Sequence, residues 1–407
     1  MTSLIDVSGE IQPNKVEYLH IWRWVFFRKI VDDCEENQGG LFEQDNNWYS
    51  FVKEVGKISF SAPDKKTISL SKLGISLNAS PIAGVSLATD ATFQVANDKT
   101  AFSALIDTVD RCEQLFQKLK RTDTPYYLFV DEMEAYYGDQ ELFKRDLTLI
   151  RDMIFTIHRL NSYGKVQIIA AVRNEIVYAM DRFIQTREIN KIVDGYSAPI
   201  KWTYSNTNSI EHPIIKVLMK RIEVGSGGKP QKFFNWFPEC IYGKDTVSYI
   251  LDIGWNKPRD IVRLITAAQN DSVHCGDSSF TRSTFDNLRK EYSKGSLSEI
   301  RQELQSLYTS QEIEMVIRLL RGGGPFTTAG AIRKRAAKGS PARLFWDQRE
   351  DDILEDFYRV GLWGNVKRTG SYSWRWNHKG DTGVLKDDGW ELAIHPALYS
   401  ELSITFN

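Results

Sequence analysis

The chain has 407 residues, of which 42% are hydrophobic and 26% are charged, and its formal net charge at pH 7 is −1. This length suffices for two or three domains, and a charge near zero gives no global attraction to nucleic acid or to an anionic membrane. No apolar run is long enough to span a bilayer, and the first residues show no signal peptide. The cysteines are scattered and form no metal-binding pair, so we expect reduced thiols in a cytoplasmic protein.

The first part of the chain predicts two helices and a β-rich insertion. Apolar residues at helical spacing predict a largely buried helix over residues 15–36 and a short one over 48–56. From about residue 57 to 98, apolar and small polar residues alternate, as in Ile58-Ser-Phe-Ser and Thr67-Ile-Ser-Leu. Alternation predicts strands, and the same composition also permits a flexible loop.

An α/β pattern follows the insertion. Strands and helices alternate, which argues for a parallel sheet with right-handed crossovers. The predicted elements are a helix over 100–120, a strand over 126–131, a helix over 140–161, a strand over 166–172 and a third candidate strand over 198–202.

Polar residues lie at the carboxyl ends of two of these strands. The first ends in the acids Asp131 and Glu132, and Arg173 and Asn174 follow the second. In open α/β sheets ligands bind at the carboxyl ends of the strands, so we expect these side chains to meet at one edge. The alternative is a strand that ends in a solvated acidic turn.

The middle of the chain predicts further helices. Residues 213–222 form one, closed by the glycine-rich segment 225–228. Another opens at Trp255-Asn-Lys-Pro-Arg259, where Pro258 suits a first helical turn. The sequence does not indicate a metal site or a catalytic nucleophile, because the histidines are isolated and no GxSxG motif occurs. His395, which precedes Pro396, is expected to cap a turn.

The tail predicts helices followed by a hairpin. A helix with capping-box spacing starts at Ser310, a basic helix covers 329–338 and another helix covers 348–359. Residues 360–364 and 372–377 predict the two hairpin strands, and this order is typical of a winged-helix-like module.

Cations cluster on and after the basic helix of the tail. A basic helix beside a wing suits contacts with nucleic-acid phosphates. The alternative is a solvated cationic face on a protein-binding module whose tryptophans lie in its core. The candidate nucleic-acid-binding residues are Arg333, Lys334, Arg335, Lys338 and Arg343.

The order of these motifs resembles a bacterial family of P-loop ATPases of the AAA+ or STAND kind with a winged-helix-like tail. The resemblance implies an α/β core over 1–205 with an incomplete P-loop NTPase-type parallel sheet, a helical lid over 206–308 and a winged-helix-like domain over 309–407. It also implies a prokaryotic, defence-related regulatory switch that works as a homo-oligomer or with a partner protein. The segments that carry it are the predicted helix that contains Trp22, Leu128–Glu132, Ala171–Ile176, Lys257–Asp260, Tyr358–Asn365, Trp374–Trp376, Gly380–Asp381 and Ile394–Leu398.

The same resemblance assigns roles to site residues. Leu128-Phe-Val-Asp131-Glu132 is similar to a Walker B element, in which Asp131 holds Mg²⁺ and Glu132 orients the attacking water. Arg173 or Asn174 would be the sensor of the bound nucleotide. Arg259 would be the lid arginine that reaches the γ-phosphate of ATP; alternatively, it is a surface residue paired with Asp260 or a neighbouring turn.

The phosphate loop of such ATPases has no counterpart here. It needs GxxxxGK followed by Ser or Thr, because its backbone N–H groups cradle the phosphates and the hydroxyl binds Mg²⁺. The Gly-Lys pairs at 56–57, 164–165, 228–229 and 243–244 all lack that hydroxyl. We expect weak or no ATP hydrolysis by this chain. Either the natural protein starts upstream and carries the phosphate loop there, or the chain is a degenerate member of the family. The second hypothesis is a non-catalytic adaptor that binds DNA or a partner protein through its tail.

Overall fold

The protein is a mixed α/β chain, mostly helical, that divides into two compact units, Met1–Ser197 and Ala198–Asn407. Among the helices placed here, none is long and apolar enough to cross a membrane. The computed structural model describes residues 18–36, 40–59, 68–69, 78–79, 85–86, 99–133, 135, 140–184, 187–200, 202, 210–270, 279–369, 371–381, 383–387 and 389–406.

The first unit contains the helices and strands predicted from periodicity, with ends that differ by a few residues. The helices predicted over 15–36, 48–56, 100–120 and 140–161 are all found where the chain is described. Its helices are α1 (Tyr18–Glu36), α2 (Asn46–Val55), α3 (Lys99–Lys118), α4 (Gln140–Ser162), α5 (Asn174–Ile184) and α6 (Arg187–Tyr196), and its strands are β1 (Ile58–Ser59), β2 (Ile68–Ser69), β3 (Asn78–Ala79), β4 (Val85–Ser86), β5 (Tyr127–Met133) and β6 (Gln167–Val172).

The core of this unit is aromatic, as the dense apolar face of α1 predicted. Phe27 of α1 is fully buried, and its ring centroid lies 5.5 Å from that of Phe51 and 5.2 Å from that of Phe116. Phe42 and Trp48 stack on each other at 5.7 Å and extend the cluster. Each such pair adds about 0.5–1.5 kcal/mol beyond its burial, so the cluster joins α1, α2 and α3 firmly.

A buried ion network joins α1, α3 and α4. Glu113 accepts hydrogen bonds from Arg23, Arg159 and Tyr163. The side chains of Glu113 and Arg23 are only 4% and 5% exposed. Burial alone would raise the pKa of Glu113, but the three hydrogen bonds outweigh it and hold that pKa below its ordinary value. The network neutralises charges that would otherwise be costly to bury.

The predicted β-rich insertion is described only in part. β1 pairs with β2 in parallel, and β3 pairs with β4 antiparallel. These pairings fall where alternation predicted strands. Apart from residue 57, which precedes β1, the rest of residues 57–98 lies outside the described chain.

The third predicted strand of the parallel sheet was wrong where it can be checked. Residues 198–200 and 202 are irregular, and residue 201 lies outside the described chain. Ile200 is 82% exposed, so this segment is not the buried strand that its apolar residues suggested. In the described chain the sheet therefore has two strands, β5 and β6, and a P-loop-type sheet is not shown.

The second unit is helical at first and then forms a small antiparallel sheet. The helix predicted from residue 348 in fact begins at Pro341, after the Ser340 cap. Its helices are α7 (Pro213–Gly225), α8 (Thr246–Ile253), α9 (Pro258–Asn270), α10 (Arg282–Leu304), α11 (Ser310–Leu320), α12 (Ala329–Arg335) and α13 (Pro341–Arg359), and its strands are β7 (Cys240–Ile241), β8 (Lys244–Asp245), β9 (Phe326–Thr327), β10 (Trp363–Thr369), β11 (Ser371–Arg375) and β12 (Trp390–Ile394).

The tail sheet has the order β11-β10-β12-β9, and all its pairs are antiparallel. A hairpin is found where the sequence predicted one, but the strand predicted over 360–364 is β10 at Trp363–Thr369 and the strand predicted over 372–377 is β11 at Ser371–Arg375. Strands β9 and β12 were not predicted, because both are short and pair across a long stretch of chain. β12 occupies the middle of the sheet and leaves β11 at its edge.

His395 caps a turn as predicted and also ties the tail to the helical segment. Its Nδ1 accepts the backbone N–H of Ala397 at 3.3 Å, and its Nε2 lies 3.1 Å from the carbonyl oxygen of Asp252. The ring stacks on Trp255 with centroids 3.8 Å apart, and Trp255 donates to the Gly361 carbonyl at 2.8 Å. The domain boundary predicted at 308–309 lies inside this unit and stays a prediction.

Candidate functional site

The carboxyl ends of β5 and β6 lie at the same edge of the sheet. The two strands are parallel neighbours, with Tyr127 opposite Gln167 and Val130 opposite Ala170. This places Asp131 beside the end of β6, where Arg173 follows. The sequence predicted that these polar residues would meet at one edge, and the backbone register brings them there. We call Asp131, Glu132, Arg173 and Asn174 the strand-end edge.

The acidic pair lies inside β5, because the strand predicted to end at Asp131 runs two residues further. β5 continues to Met133, which pairs with Val172, so three steps along β5 match two along β6. The extra residue makes a bulge at Asp131–Glu132, and bulges often re-aim a side chain beside a functional site. Asp131 is exposed, and the side chain of Glu132 lies outside the described part of the structure.

Arg173 and Asn174 mark the start of α5. The Arg173 carbonyl accepts the N–H groups of Ile176 and Val177, and its guanidinium lies 3.7 Å from the Glu175 carboxylate. The side chain of Arg173 is 49% exposed, so this long ion pair is weak. Asn174 is also exposed. Both side chains are therefore placed where a solvent-borne anion could reach them.

One face of the strand pair carries exposed apolar side chains. Tyr127 is 58% exposed, Phe129 is 71% exposed and Ile169 is 41% exposed, whereas Ile168 of the alternate face is buried. Parallel strands in α/β proteins usually have both faces covered. This pair departs from that rule, which sequence alone could not show because an apolar run looks the same in either case.

The Gly-Lys pairs of the chain do not form a phosphate cradle. Such a cradle connects a strand to the helix that follows it. Here the pairs lie in turns that follow helices or, at 243–244, close the β7–β8 hairpin. Lys57 pairs with Glu54 at 2.6 Å. Lys165 donates to the Leu119 carbonyl at 2.6 Å. These lysines are engaged in the fold.

A metal ion would find few protein ligands in the described chain. Within the residues searched, no group of three or more His, Cys, Asp or Glu is arranged to hold a metal. Mg²⁺ in nucleotide sites often takes one or two carboxylates, with waters and substrate phosphates as its other ligands. Asp131 fits such a contact through water, so the donor set is compatible with Mg²⁺ only when a nucleotide brings its own oxygens.

Arg259, the predicted lid arginine, belongs to the second unit. It is exposed at the second position of α9. The alternative prediction paired it with Asp260, but Asp260 is buried and lies 2.8 Å from Arg263. The i, i+3 spacing of Asp260 and Arg263 was visible in the sequence and could have identified this pair.

The predicted nucleic-acid cluster is partly neutralised within the fold. Arg333 lies 2.6 Å from the Asp347 carboxylate, and Arg343 lies 3.0 Å from the same group. The Arg333 guanidinium holds the pKa of Asp347 below its ordinary range. Arg335 donates to the Leu320 carbonyl at the end of α11, which is a structural contact. Only the lysines of the cluster, Lys334 and Lys338, point to solvent without a role in these contacts.

Helix α13, on which Arg343 lies, also carries exposed acids. These are Asp351, Asp352 and Glu355, and Asp351 pairs with Lys386 at 2.6 Å and Asp352 with Arg349 at 3.2 Å. Much of the charge of this helix is therefore also balanced within the fold.

Comparison with known protein families finds a match for one segment of the chain. Residues 213–301 match the family described as the FunZ-associated C-terminal helical domain. Comparison with curated proteins and with solved structures gives no significant match. The matched segment lies within the predicted lid, is helical as predicted and includes Arg259. It covers too little of the chain to show the family of the whole, and nothing in it supports a P-loop ATPase family.

Proposed function

We propose that the chain is a nucleotide-responsive regulatory protein, similar to ATPases of the AAA+ or STAND kind, with little or no hydrolysis of its own. The observation that supports this function is the parallel register of β5 and β6, which brings Asp131 and Arg173 to one edge. Its prokaryotic, defence-related setting and its cytoplasmic location belong to the proposal and rest on the sequence resemblance and composition.

The strand-end edge would bind the phosphate end of a magnesium nucleotide. Asp131 would hold Mg²⁺ through water, and the ion would neutralise part of the phosphate charge. Arg173 or Asn174 would contact the terminal phosphate, with Glu175 orienting the guanidinium. Glu132 would orient a water. A phosphate cradle would have to come from another subunit, a partner protein or an upstream segment, which is why we expect binding to be weak in this chain.

Thermal unfolding with Mg-ATP tests this function. A ligand at about a hundred times its dissociation constant stabilises a protein by about 2.7 kcal/mol. We expect Mg-ATP to raise the melting temperature, Asp131→Asn to abolish the increase and the chain to release no phosphate. Asp123→Asn is the matched control, since Asp123 is an exposed acid in the bend that precedes the same strand. An equal increase in Asp131→Asn would contradict the site, and turnover that vanishes in Glu132→Gln would contradict the lack of hydrolysis.

The second candidate function is a non-catalytic adaptor that acts through the tail. It is favoured by the order α11–β9–α12–α13 followed by the β10–β11 hairpin, which is the order expected of a winged-helix-like module. In this function the ATPase-like core has only a structural role. A chain whose melting temperature does not respond to Mg-ATP supports the adaptor over the switch.

A further inference from the structure

Strand β11 and the residue that follows it carry a row of nearly parallel aromatic rings. β11 is an edge strand of the tail sheet and all five of its residues are exposed, whereas Trp376, after the strand, is buried. Tyr372 and Trp374 are 57% and 45% exposed, and their ring planes are 16° apart with centroids at 5.9 Å. Trp376, next on the same face, lies 6.3 Å from Trp374 at 9°. We call Tyr372, Trp374 and Trp376 the aromatic ladder.

The sheet beneath the ladder leaves room for large rings. Gly364 of β10 lies under Trp376, where an added Cβ would be only 2.5 Å from the indole. Ala393 and Val366 complete this small core, and Phe326 of β9 reaches to 5.8 Å from the ring of Trp374. Trp376 anchors the ladder in the sheet, while Tyr372 and Trp374 remain in solvent. Core packing therefore does not explain the two outer rings.

The hairpin that carries the ladder is cationic. Between residues 363 and 380 it has no Asp or Glu, and its cations are Lys367, Arg368, Arg375 and Lys379. Arg375 pairs with Asp381 at 3.1 Å and Lys379 with Asp252 at 2.7 Å, and Lys367 lies on the other face of the sheet, opposite Ser373. Arg368 lies on the ladder's face, with its guanidinium 5.0 Å from the centroid of Phe326. It pairs with Glu391, and its side chain is 45% exposed. The pair is bidentate, with two N–H groups of Arg368 on the two carboxylate oxygens, so a phosphate would have to displace Glu391 or bind the exposed side of the guanidinium.

We propose that the aromatic ladder binds single-stranded nucleic acid, with bases stacked on Tyr372 and Trp374 and a phosphate against Arg368. Aromatic side chains beside cations are the usual means of holding unpaired bases, since every base offers a flat face. A duplex keeps its bases stacked on each other and does not offer their flat faces to the ladder. The inference rests on the adaptor function, to which it gives a partner, and it does not depend on the nucleotide site of the first unit.

Fluorescence anisotropy with the full chain tests the ladder. The probe is a labelled oligothymidine of about 15 nucleotides, long enough to cover a site of this kind. We expect binding that weakens with salt, and a loss of about tenfold or more in affinity for Tyr372→Ala/Trp374→Ala. Tyr372→Phe/Trp374→Phe, which keeps the rings, should restore most of the affinity. Phe234→Ala removes a ring of 56% exposure elsewhere in the same unit and should change nothing.

Other outcomes would overturn the proposal. One is wild-type protein that does not bind the oligonucleotide, and another is a duplex of the same length that binds as tightly. Loss of binding in Lys334→Ala/Lys338→Ala with none in the ladder variant would assign the contact to the basic helix. A proline-rich peptide that binds the ladder while the oligonucleotide does not would assign it to a protein partner. Equal melting temperatures of wild type and the ladder variant exclude misfolding as the cause of any loss.

Discussion

Asp260 is a buried carboxyl group whose protonation should affect stability near neutral pH. It is 3% exposed and shares Arg263 with Glu299, which lies 2.8 Å from the same guanidinium. Burial, and next the hydrogen bond with Glu299, raise the pKa of Asp260 to about 7, against the opposing effects of Lys257 and Arg263. Two carboxylates thus compete for one arginine, and folding favours the protonated acid.

Replacement of Asp260 by asparagine should flatten the pH dependence of stability. The pKa of Asp260 is raised on folding, so its contribution is fully present below the unfolded value of about 3.9 and is lost as pH rises towards 7. Melting temperatures across this range should therefore show Asp260→Asn gaining on the wild type as pH rises. Asp351→Asn, at a site of 85% exposure, is the control and should run parallel to the wild type. Parallel curves for Asp260→Asn would show that Asp260 keeps an ordinary pKa.

At the scale of elements, the tail sheet depends on a close approach between a strand and a ring. Gly364 lies in β10, and a Cβ there would meet Trp376 at 2.5 Å and the Arg375 carbonyl at 2.8 Å. The backbone carbonyl cannot move without disturbing the β10–β11 pairing. The glycine is therefore required by packing, since no unusual backbone angle is involved.

Gly364→Ala should destabilise the chain by about 1–3 kcal/mol, the usual cost of overpacking. Urea unfolding measures this as a lower midpoint at unchanged slope. Gly330→Ala is the matched control: its Cβ would meet nothing within 4 Å, and alanine is the better residue in a helix such as α12. Gly364→Ala should lower the urea midpoint and Gly330→Ala should raise it. Equal changes in the midpoint would rule out the packing argument.

At the scale of the whole molecule, the matched helical segment 213–301 does not hold its core by itself. Trp255 is buried through its hydrogen bond to Gly361 and its stacking on His395. The N–H of Glu401 donates to Ser293 at 2.9 Å. All these partners lie beyond residue 301, so the segment and the tail share one hydrophobic core.

A fragment of residues 198–407 should therefore unfold cooperatively on its own, whereas residues 213–301 alone should melt at a lower temperature. Circular dichroism of the two purified fragments measures both transitions. The physical reason is that truncation at 301 exposes the indole of Trp255 and leaves its N–H without the Gly361 carbonyl. A similar melting temperature for both fragments would mean that the segment is an independent domain.

Local periodicity was sufficient to predict the helices α1, α3 and α4, because helical spacing of apolar residues is a property of consecutive sequence. The helix predicted over 348–359 lacked the first turns of α13, which begins at Pro341. The neighbouring strands β5 and β6 were predicted for a related reason, since a helix between two apolar runs leads to parallel pairing. The sequence likewise indicated the hairpin β10–β11 and the cap at His395.

Only the tertiary structure decided how distant segments meet. The pairing of β12 with β9, the bulge at Asp131–Glu132 and the contact between Arg333 and Asp347 each join residues whose relation depends on register or on packing. The exposed ladder at Tyr372 and Trp374 is of the same kind, since the sequence shows aromatic residues but not which of them the fold leaves in water. Spacing along the chain determines local conformation, whereas burial and charge pairing depend on neighbours that only folding brings together.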